Sequence, residues 1–93
     1  MPKRLVISAQ AKRDFADILY RVGEYTGSEL SIAKLANEFS EKLEYLSHFP
    51  KSSRMLNDGT RQAFCRRYRI IYLETAESVE IITVLHSLRK YPK

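Results

Sequence analysis

Apolar residues in the first half of the chain recur with the spacing of two amphipathic helices. From Ala9 to about Tyr25, most steps between apolar residues are three or four positions, which places them on one helical face. This stripe consists of Ala11, Phe15, Ile18, Leu19, Val22 and Tyr25. Ser8 is a suitable N-cap, and Gly27 tolerates the left-handed conformation that commonly ends a helix. The pattern therefore predicts a first helix from Ala9 to about Tyr25.

A second stripe of the same kind runs from about Glu29 to His48. Its members are Ile32, Leu35, Ala36, Phe39, Leu43, Leu46 and Phe49. Pro50 ends the pattern, because proline disfavours helical backbone in the residue before it. Only Thr26-Gly27-Ser28 separates the two stripes, so the helices are predicted to form an antiparallel hairpin with both stripes facing the core.

The pattern changes to that of β-strands in the second half, where β-branched and aromatic residues gather in short runs. The predicted strands are Arg4–Ile7, Arg54–Asn57, Arg61–Cys65, Tyr68–Glu74 and Val79–His86. Asp58-Gly59 is a strong turn pair, whereas Arg66-Arg67 is not a recognised one, so that link is the least supported. Short links between the last four strands predict an antiparallel meander.

The resulting order, β-α-α-β-β-β-β, describes one α+β domain over residues 1–93, in which a helical hairpin covers one face of a sheet. No run of 18 apolar residues occurs, so no membrane span is predicted. The single cysteine, Cys65, excludes an internal disulfide, fits a reducing cytoplasm and is interpreted as a small core residue. One cysteine and two histidines make no convincing zinc site, and no nucleotide-binding glycine loop appears, so no metal or cofactor is expected.

Charge adds a preference for anionic partners. The net charge is +5, which favours nucleic acid or an acidic protein surface. The basic residues of the sheet half are Arg54, Arg61, Arg66, Arg67, Arg69, Arg89, Lys90 and Lys93, interleaved with Tyr68, Tyr72 and Tyr91. Arginine binds phosphate bidentately and aromatic rings stack on bases, so such a face suits RNA or an acidic protein. Alternate arginines that simply face water remain the other interpretation.

Metal-free RNA cleavage at the 2′-hydroxyl would need a base, cations for the phosphate and an acid for the leaving oxygen. The candidates are His86 as base or acid, Arg61, Arg69 and Arg89 as cations, and Tyr91 as acid. His86 ends an apolar strand, where a structural histidine is an equally open interpretation.

Three stretches have an order and spacing that point to a known family. They are Val6–Phe15 (VISAQAKRDF), Leu43–Pro50 (LEYLSHFP), and Tyr68–Tyr72 (YRIIY) followed by Val79–Arg89 (VEIITVLHSLR). Together they resemble the RelE/ParE toxin superfamily. This resemblance implies a cytoplasmic toxin, neutralised by an antitoxin encoded beside it, whose complex reaches operator DNA through the antitoxin. RelE-like members cut mRNA in the ribosomal A site, whereas ParE-like members inhibit DNA gyrase and trap it on cleaved DNA.

The ending His86-Ser87-Leu88-Arg89 is more similar to the ParE-type "His-Gly-x-Arg" than to an RNA-cutting tail. The ParE-like branch is therefore favoured, with gyrase as the target. Contacts to target or partner are then expected at Arg69, Arg89, Lys90 and Tyr91. Two alternatives stay open: a ribosome-dependent mRNA endonuclease using Arg61, Arg69, His86, Arg89 and Tyr91, or a member that only binds its antitoxin.

Overall fold

A five-stranded sheet lies against a two-helix hairpin in the computed structural model, which describes residues 2–91. The elements are β1 (Arg4–Ile7), α1 (Ala9–Thr26), α2 (Glu29–His48), β2 (Arg54–Met55), β3 (Arg61–Cys65), β4 (Tyr68–Glu74) and β5 (Ser78–His86). The predicted order and α+β class are confirmed. The predicted bounds differ most at β2, which was expected to reach Asn57 and stops at Met55.

Local capping sets the bounds of both helices. The Ser8 hydroxyl accepts a hydrogen bond from the Ala11 N–H at 3.0 Å, so the predicted N-cap of α1 is confirmed. Gly27 ends α1 with φ 63°, and its N–H donates to the Gly23 carbonyl at 2.8 Å. The Ser28 hydroxyl caps α2 in the same way, by accepting from the Ser31 N–H at 3.2 Å. These contacts are local in sequence, which is why the sequence pattern indicated both ends of α1.

The strand order across the sheet is β1-β5-β4-β3-β2. β2, β3, β4 and β5 pair antiparallel with their chain neighbours, as the predicted meander requires. β1 instead pairs parallel with β5, in a register that joins Leu5 to Val79 and Ile7 to Ile81. The sheet is therefore mixed, and the N-terminal strand lies beside the C-terminal one.

Arg66 and Arg67 form the two-residue turn between β3 and β4, which was the least supported link in the sequence analysis. Arg66 adopts φ 53°, a left-handed conformation that is uncommon in residues other than glycine. Its guanidinium forms a bidentate pair with the Glu38 carboxylate on α2, with Nε to Oε1 at 3.0 Å. The turn therefore coincides with an ion pair between Arg66 and a residue 28 positions earlier in the sequence, which a local sequence pattern cannot reveal.

The core lies between the helices and one face of the sheet. Its largest fully buried side chains are Tyr72, Leu35, Leu46, Ile70, Ile71, Ile81 and Val79. Cys65 is buried, as expected, and burial raises the pKa of its thiol. Two predicted stripe members are exposed instead of facing the core: Tyr25 is 93% exposed and Phe49 is 57% exposed. Tyr25 lies near the end of the hairpin, and Phe49 follows the last helical residue and lies against Tyr45 instead, with ring centroids 5.0 Å apart.

Candidate functional site

The segment after β5, residues 87–91, is folded back against the sheet, and we call it the tail. The Ser87 N–H donates to the Arg67 carbonyl at 2.6 Å, and the Arg89 N–H donates to the His86 carbonyl at 3.0 Å. The Leu88 N–H donates to His86 Nδ1 at 3.2 Å. Backbone contacts therefore hold the start of the tail close to β4 and β5.

Arg69 on β4 joins the sheet to the middle of the tail. Its Nη1 donates to Gln62 Oε1 on β3 at 3.0 Å, and its Nη2 donates to the backbone carbonyl of Arg89. Its Nε is buried and has no hydrogen-bond partner among residues 2–91. The register places Arg69 between Phe64 and Leu85, so its side chain shares one face of the sheet with theirs.

The far end of the tail reaches the loop between β2 and β3. Tyr91 lines a cavity there with Arg54, Met55, Leu56, Asn57 and Asp58. Hydrogen bonds from the Thr60 hydroxyl at 2.5 Å and the Thr60 N–H at 3.0 Å, and a smaller one from Tyr91, hold the pKa of Asp58 below its ordinary value. The ionised carboxylate is thus one contact for the tail's last described residue. Lys93, named in the basic group, lies outside the described residues.

A second cavity lies where β5, the tail and α1 meet. It is lined by Asp14, Asp17, Ile18, Arg21, Tyr68, Val84, Leu85, His86 and Arg89. Its volume of about 200 Å³ is below the range of about 300–1,000 Å³ that is usual for small-molecule sites. Two carboxylates, Asp14 and Asp17, face this space together with two guanidiniums, Arg21 and Arg89, so the formal charges of the lining cancel.

Arg61 lies apart from the other candidates for RNA cleavage. It pairs with Tyr72 across β3 and β4, three positions from the pair that contains Arg69, so the two arginines alternate onto opposite faces of the sheet. Arg61 Nη1 donates to the Ser53 carbonyl at 2.7 Å. The structure therefore joins Arg69 to the Arg89 carbonyl and places Arg89 and His86 in one cavity, with Tyr91 at the far end of the tail. His86 pairs with Tyr68, one position from Arg69, so His86 and Arg61 both lie on the opposite face of the sheet from Arg69.

The tail turns apolar and cationic groups toward solvent. Leu88 is 88% exposed, and Arg89 and Lys90 are exposed beside it. Arg67, in the turn below, is also exposed. Of the residues predicted to bind a partner, Arg89 and Lys90 lie on this surface, Tyr91 lies at its far end, and Arg69 contacts the Arg89 carbonyl beneath it.

An apolar groove runs between the two helices, and the sequence interpretation missed it by assigning both stripes wholly to the core. Its lining residues are Ile7, Phe15, Leu19, Ala36, Phe39, Ser40 and Leu43. Phe15 and Phe39 meet edge to face, with ring centroids 4.9 Å apart. Phe15, Ile18, Leu19 and Val22 are only partly buried, whereas Ala11 is fully buried, so α1 leaves much of its apolar face open. The wide apolar stripe in the sequence indicated that α1 has an apolar face, but not how much of that face the rest of the protein covers.

The outer edge of the sheet is also partly uncovered. β2 pairs only with Arg61 and Gln62, so Ala63 to Cys65 lie beyond its end. Phe64 is 52% exposed there.

In the described part of the chain, no helix is long and apolar enough to cross a membrane. Within residues 2–91, no group of three or more histidine, cysteine and acidic residues is arranged to hold a metal ion.

Comparison with known proteins gives a family and a fold. A family model described as the ParE toxin of the type II toxin–antitoxin system parDE matches residues 5–91. A solved structure titled as a chromosomal ParDE TA system from P. aeruginosa superposes with a TM-score of 0.79 at 15% identity, covering 90% of this chain and 95% of that one.

A structure of the toxin–antitoxin complex RelBE2 from Mycobacterium tuberculosis superposes with a TM-score of 0.64 at 21% identity, covering 92% of this chain and 99% of that one. At these identities the two structures establish the shared fold. No curated protein sequence matches this chain.

Proposed function

This chain belongs to the ParE toxin family of type II toxin–antitoxin systems, and on that premise we propose that it inhibits DNA gyrase and is neutralised by a cognate antitoxin. The observation that carries the proposal is the family match over residues 5–91, which includes both the helical hairpin and the tail. In this proposal the cytoplasm is the site of action, because the target enzyme works on chromosomal DNA there.

The tail supplies the surface that we assign to gyrase. Leu88, Arg89 and Lys90 are exposed together at its centre. Arginine is enriched at the energetic centres of protein interfaces, and an apolar neighbour adds area that is removed from water on contact. A cationic surface also increases the rate of encounter with an enzyme that is bound to DNA.

Cleavage of mRNA on the ribosome is the alternative, and three observations weigh against it. Arg61 lies on the other face of the sheet from Arg69. Both Nη groups of Arg69 already donate to Gln62 and to the Arg89 carbonyl. The cavity beside His86 is lined by the carboxylates of Asp14 and Asp17 as well as by Arg21 and Arg89, so its formal charges cancel and do not concentrate positive charge for a scissile phosphate. The arrangement around the tail is better suited to binding than to acid–base chemistry.

The helical groove supplies the surface that we assign to the antitoxin. It is lined mainly by apolar side chains and is open between α1 and α2, so an amphipathic segment can bury its own apolar face there. The net charge of +5 favours an acidic partner. The uncovered edge of β3 is a second place where an extended antitoxin segment can pair. Contact with operator DNA would then come through the antitoxin.

A supercoiling assay with purified gyrase tests the proposal. We expect inhibition and a trapped cleavage complex at micromolar toxin, relieved by the protein encoded in the neighbouring reading frame. Primer extension on translated mRNA is the parallel assay. Cuts that disappear in a folded Arg69→Ala variant, together with unaffected gyrase, would replace the proposal by the endonuclease. Expression without antitoxin that leaves growth unaffected would instead indicate a member that only binds its antitoxin.

A further inference from the structure

The Arg69 guanidinium makes its hydrogen bonds within the protein, to one side chain and one backbone carbonyl. The side chain is partly buried, and the guanidinium connects Gln62 on β3 with the carbonyl of Arg89 in the tail. A guanidinium presents its donors in a rigid planar fork, so holding two acceptors at once fixes their relative positions. The residue therefore clamps the tail against the middle of the sheet.

The other contacts of the tail lie on either side of the Arg89 carbonyl. On one side, the Ser87, Leu88 and Arg89 N–H groups donate to the Arg67 carbonyl, His86 Nδ1 and the His86 carbonyl. On the other side, Tyr91 lies beside the loop that carries Asp58. Between these ends, the Arg89 carbonyl accepts from Arg69 while Leu88, Arg89 and Lys90 remain exposed.

We propose that Arg69 is a positioning residue, whose guanidinium holds the Arg89 carbonyl so that Leu88, Arg89 and Lys90 are presented to the target in one fixed arrangement. This inference rests on the proposed function, since it concerns the surface assigned to gyrase. Fixing a binding segment in its bound conformation before contact strengthens binding, because less conformational entropy is lost on association.

Amide hydrogen exchange followed by NMR tests the positioning role without any target. In full-length Arg69→Gln, the Ser87 and Arg89 amides should exchange about tenfold faster or more, while amides of the α2 core such as Leu46 keep their rates. Arg67→Gln is the matched control, because Arg67 is exposed, loses the same charge and retains the carbonyl that holds Ser87. Unchanged exchange in the tail, or equal acceleration throughout the molecule, would overturn the inference.

Gyrase inhibition then separates positioning from direct contact. Arg69→Gln should raise the toxin concentration for half-inhibition by about tenfold or more. In a full-length background with Leu88→Ala, Arg89→Ala and Lys90→Ala, the same substitution should change it by less than about twofold, since residues that act through each other are not additive. Equal effects in the two backgrounds would mean that Arg69 contacts gyrase itself, contrary to the inference.

The two proposals fail in different ways. If wild-type toxin leaves gyrase active, the proposed function is wrong, and amide exchange still decides whether Arg69 holds the tail. If wild-type toxin inhibits gyrase but Arg69→Gln leaves tail exchange as in Arg67→Gln and inhibition as in the wild type, only the positioning role is wrong.

Discussion

At the scale of single residues, Asp14 and Ser8 continue the pairing of the sheet beyond the end of β1. The register of β1 and β5 ends at Ile81, where the Ser8 N–H donates to the Ile81 carbonyl at 2.9 Å. The Ser8 hydroxyl donates to the Ile82 carbonyl at 2.7 Å. The Asp14 carboxylate then accepts from the Thr83 hydroxyl at 2.6 Å and the Val84 N–H at 3.0 Å. Side chains near the start of α1 thus satisfy the exposed edge of β5.

Replacing Asp14 should therefore cost more stability than its position on a helix surface suggests. Asp14→Ala leaves the buried Thr83 hydroxyl and the Val84 N–H without this acceptor, and we expect a loss of about 1–3 kcal/mol in the free energy of unfolding. Urea unfolding followed by circular dichroism measures it. Asp17→Ala is the control, because it breaks only the exposed pair with Arg21 and should cost about 0.5 kcal/mol or less. Equal losses of stability in the two variants would refute the role of Asp14 at the edge of β5.

Glu74 gives the fold a dependence on pH. Hydrogen bonds from Lys3 first, and then from Lys51, hold the pKa of Glu74 below its ordinary value; the ion-pair distances are 2.8 and 3.1 Å. Because the folded-state pKa is depressed, this stabilisation is present above the unfolded-state pKa and is lost as pH falls through the folded-state value.

We accordingly expect Glu74→Gln to be less stable than the wild type at neutral pH, with a smaller difference in acid, at a pH below the depressed folded-state pKa of Glu74. Urea unfolding at the two pH values measures the change. Glu77→Gln, which removes one negative charge from an exposed turn position, is the matched control. A difference between wild type and Glu74→Gln that stays constant with pH would contradict the assignment.

At the scale of elements, the sequence predicted the helices and strands well because their signals are local. Ser8, Gly27 and Ser28 act within three or four residues, and the strand runs carry their own β-propensity. The parallel pairing of β1 with β5 and the left-handed turn at Arg66 depend on contacts far along the chain, so periodicity could not give them. The site behaved in the same way: motif order drew attention to Arg69, but only the fold places it under the tail.

Gly23 on α1 lies close to Ile32 on α2, and the effect of this close approach on stability can be measured. A Cβ at Gly23 would lie 2.7 Å from Ile32 Cδ1, although alanine is favoured over glycine in a helix by about 1 kcal/mol. We expect Gly23→Ala to be more favourable by about 0.5–1 kcal/mol in an Ile32→Val background, which lacks Cδ1, than in the wild type. A double-mutant cycle of unfolding free energies measures this coupling. Additive effects would mean that Gly23 is not needed for helix–helix contact.

At the scale of the whole molecule, the groove and the tail are two separate surfaces. The groove is lined by residues of β1, α1 and α2, whereas the tail is held by β4, β5 and the loop after β2, and the two surfaces have no lining residue in common. Antitoxin and target can therefore be recognised by different parts of one small domain.

This separation predicts variants that lose one partner and keep the other. Leu19→Lys places a charge in the groove and should weaken antitoxin binding about tenfold or more while gyrase inhibition persists. Tyr20→Lys, at an exposed neighbouring position, is the matched control. The triple alanine variant at Leu88, Arg89 and Lys90 should show the reverse pattern. Calorimetric titration with antitoxin and the supercoiling assay measure the two properties, and loss of both in either variant would contradict the separation.

The short β2 has a consequence for the toxin when it is made in excess. Beyond Arg54, which pairs with Gln62, the edge of β3 carries no strand from β2, and Phe64 projects there with half of its surface exposed. An uncovered strand edge with an apolar side chain is a template for self-association. Unpartnered toxin should consequently precipitate or form oligomers as its concentration rises, so that the cell's pool of active molecules would be limited by solubility as well as by neutralisation.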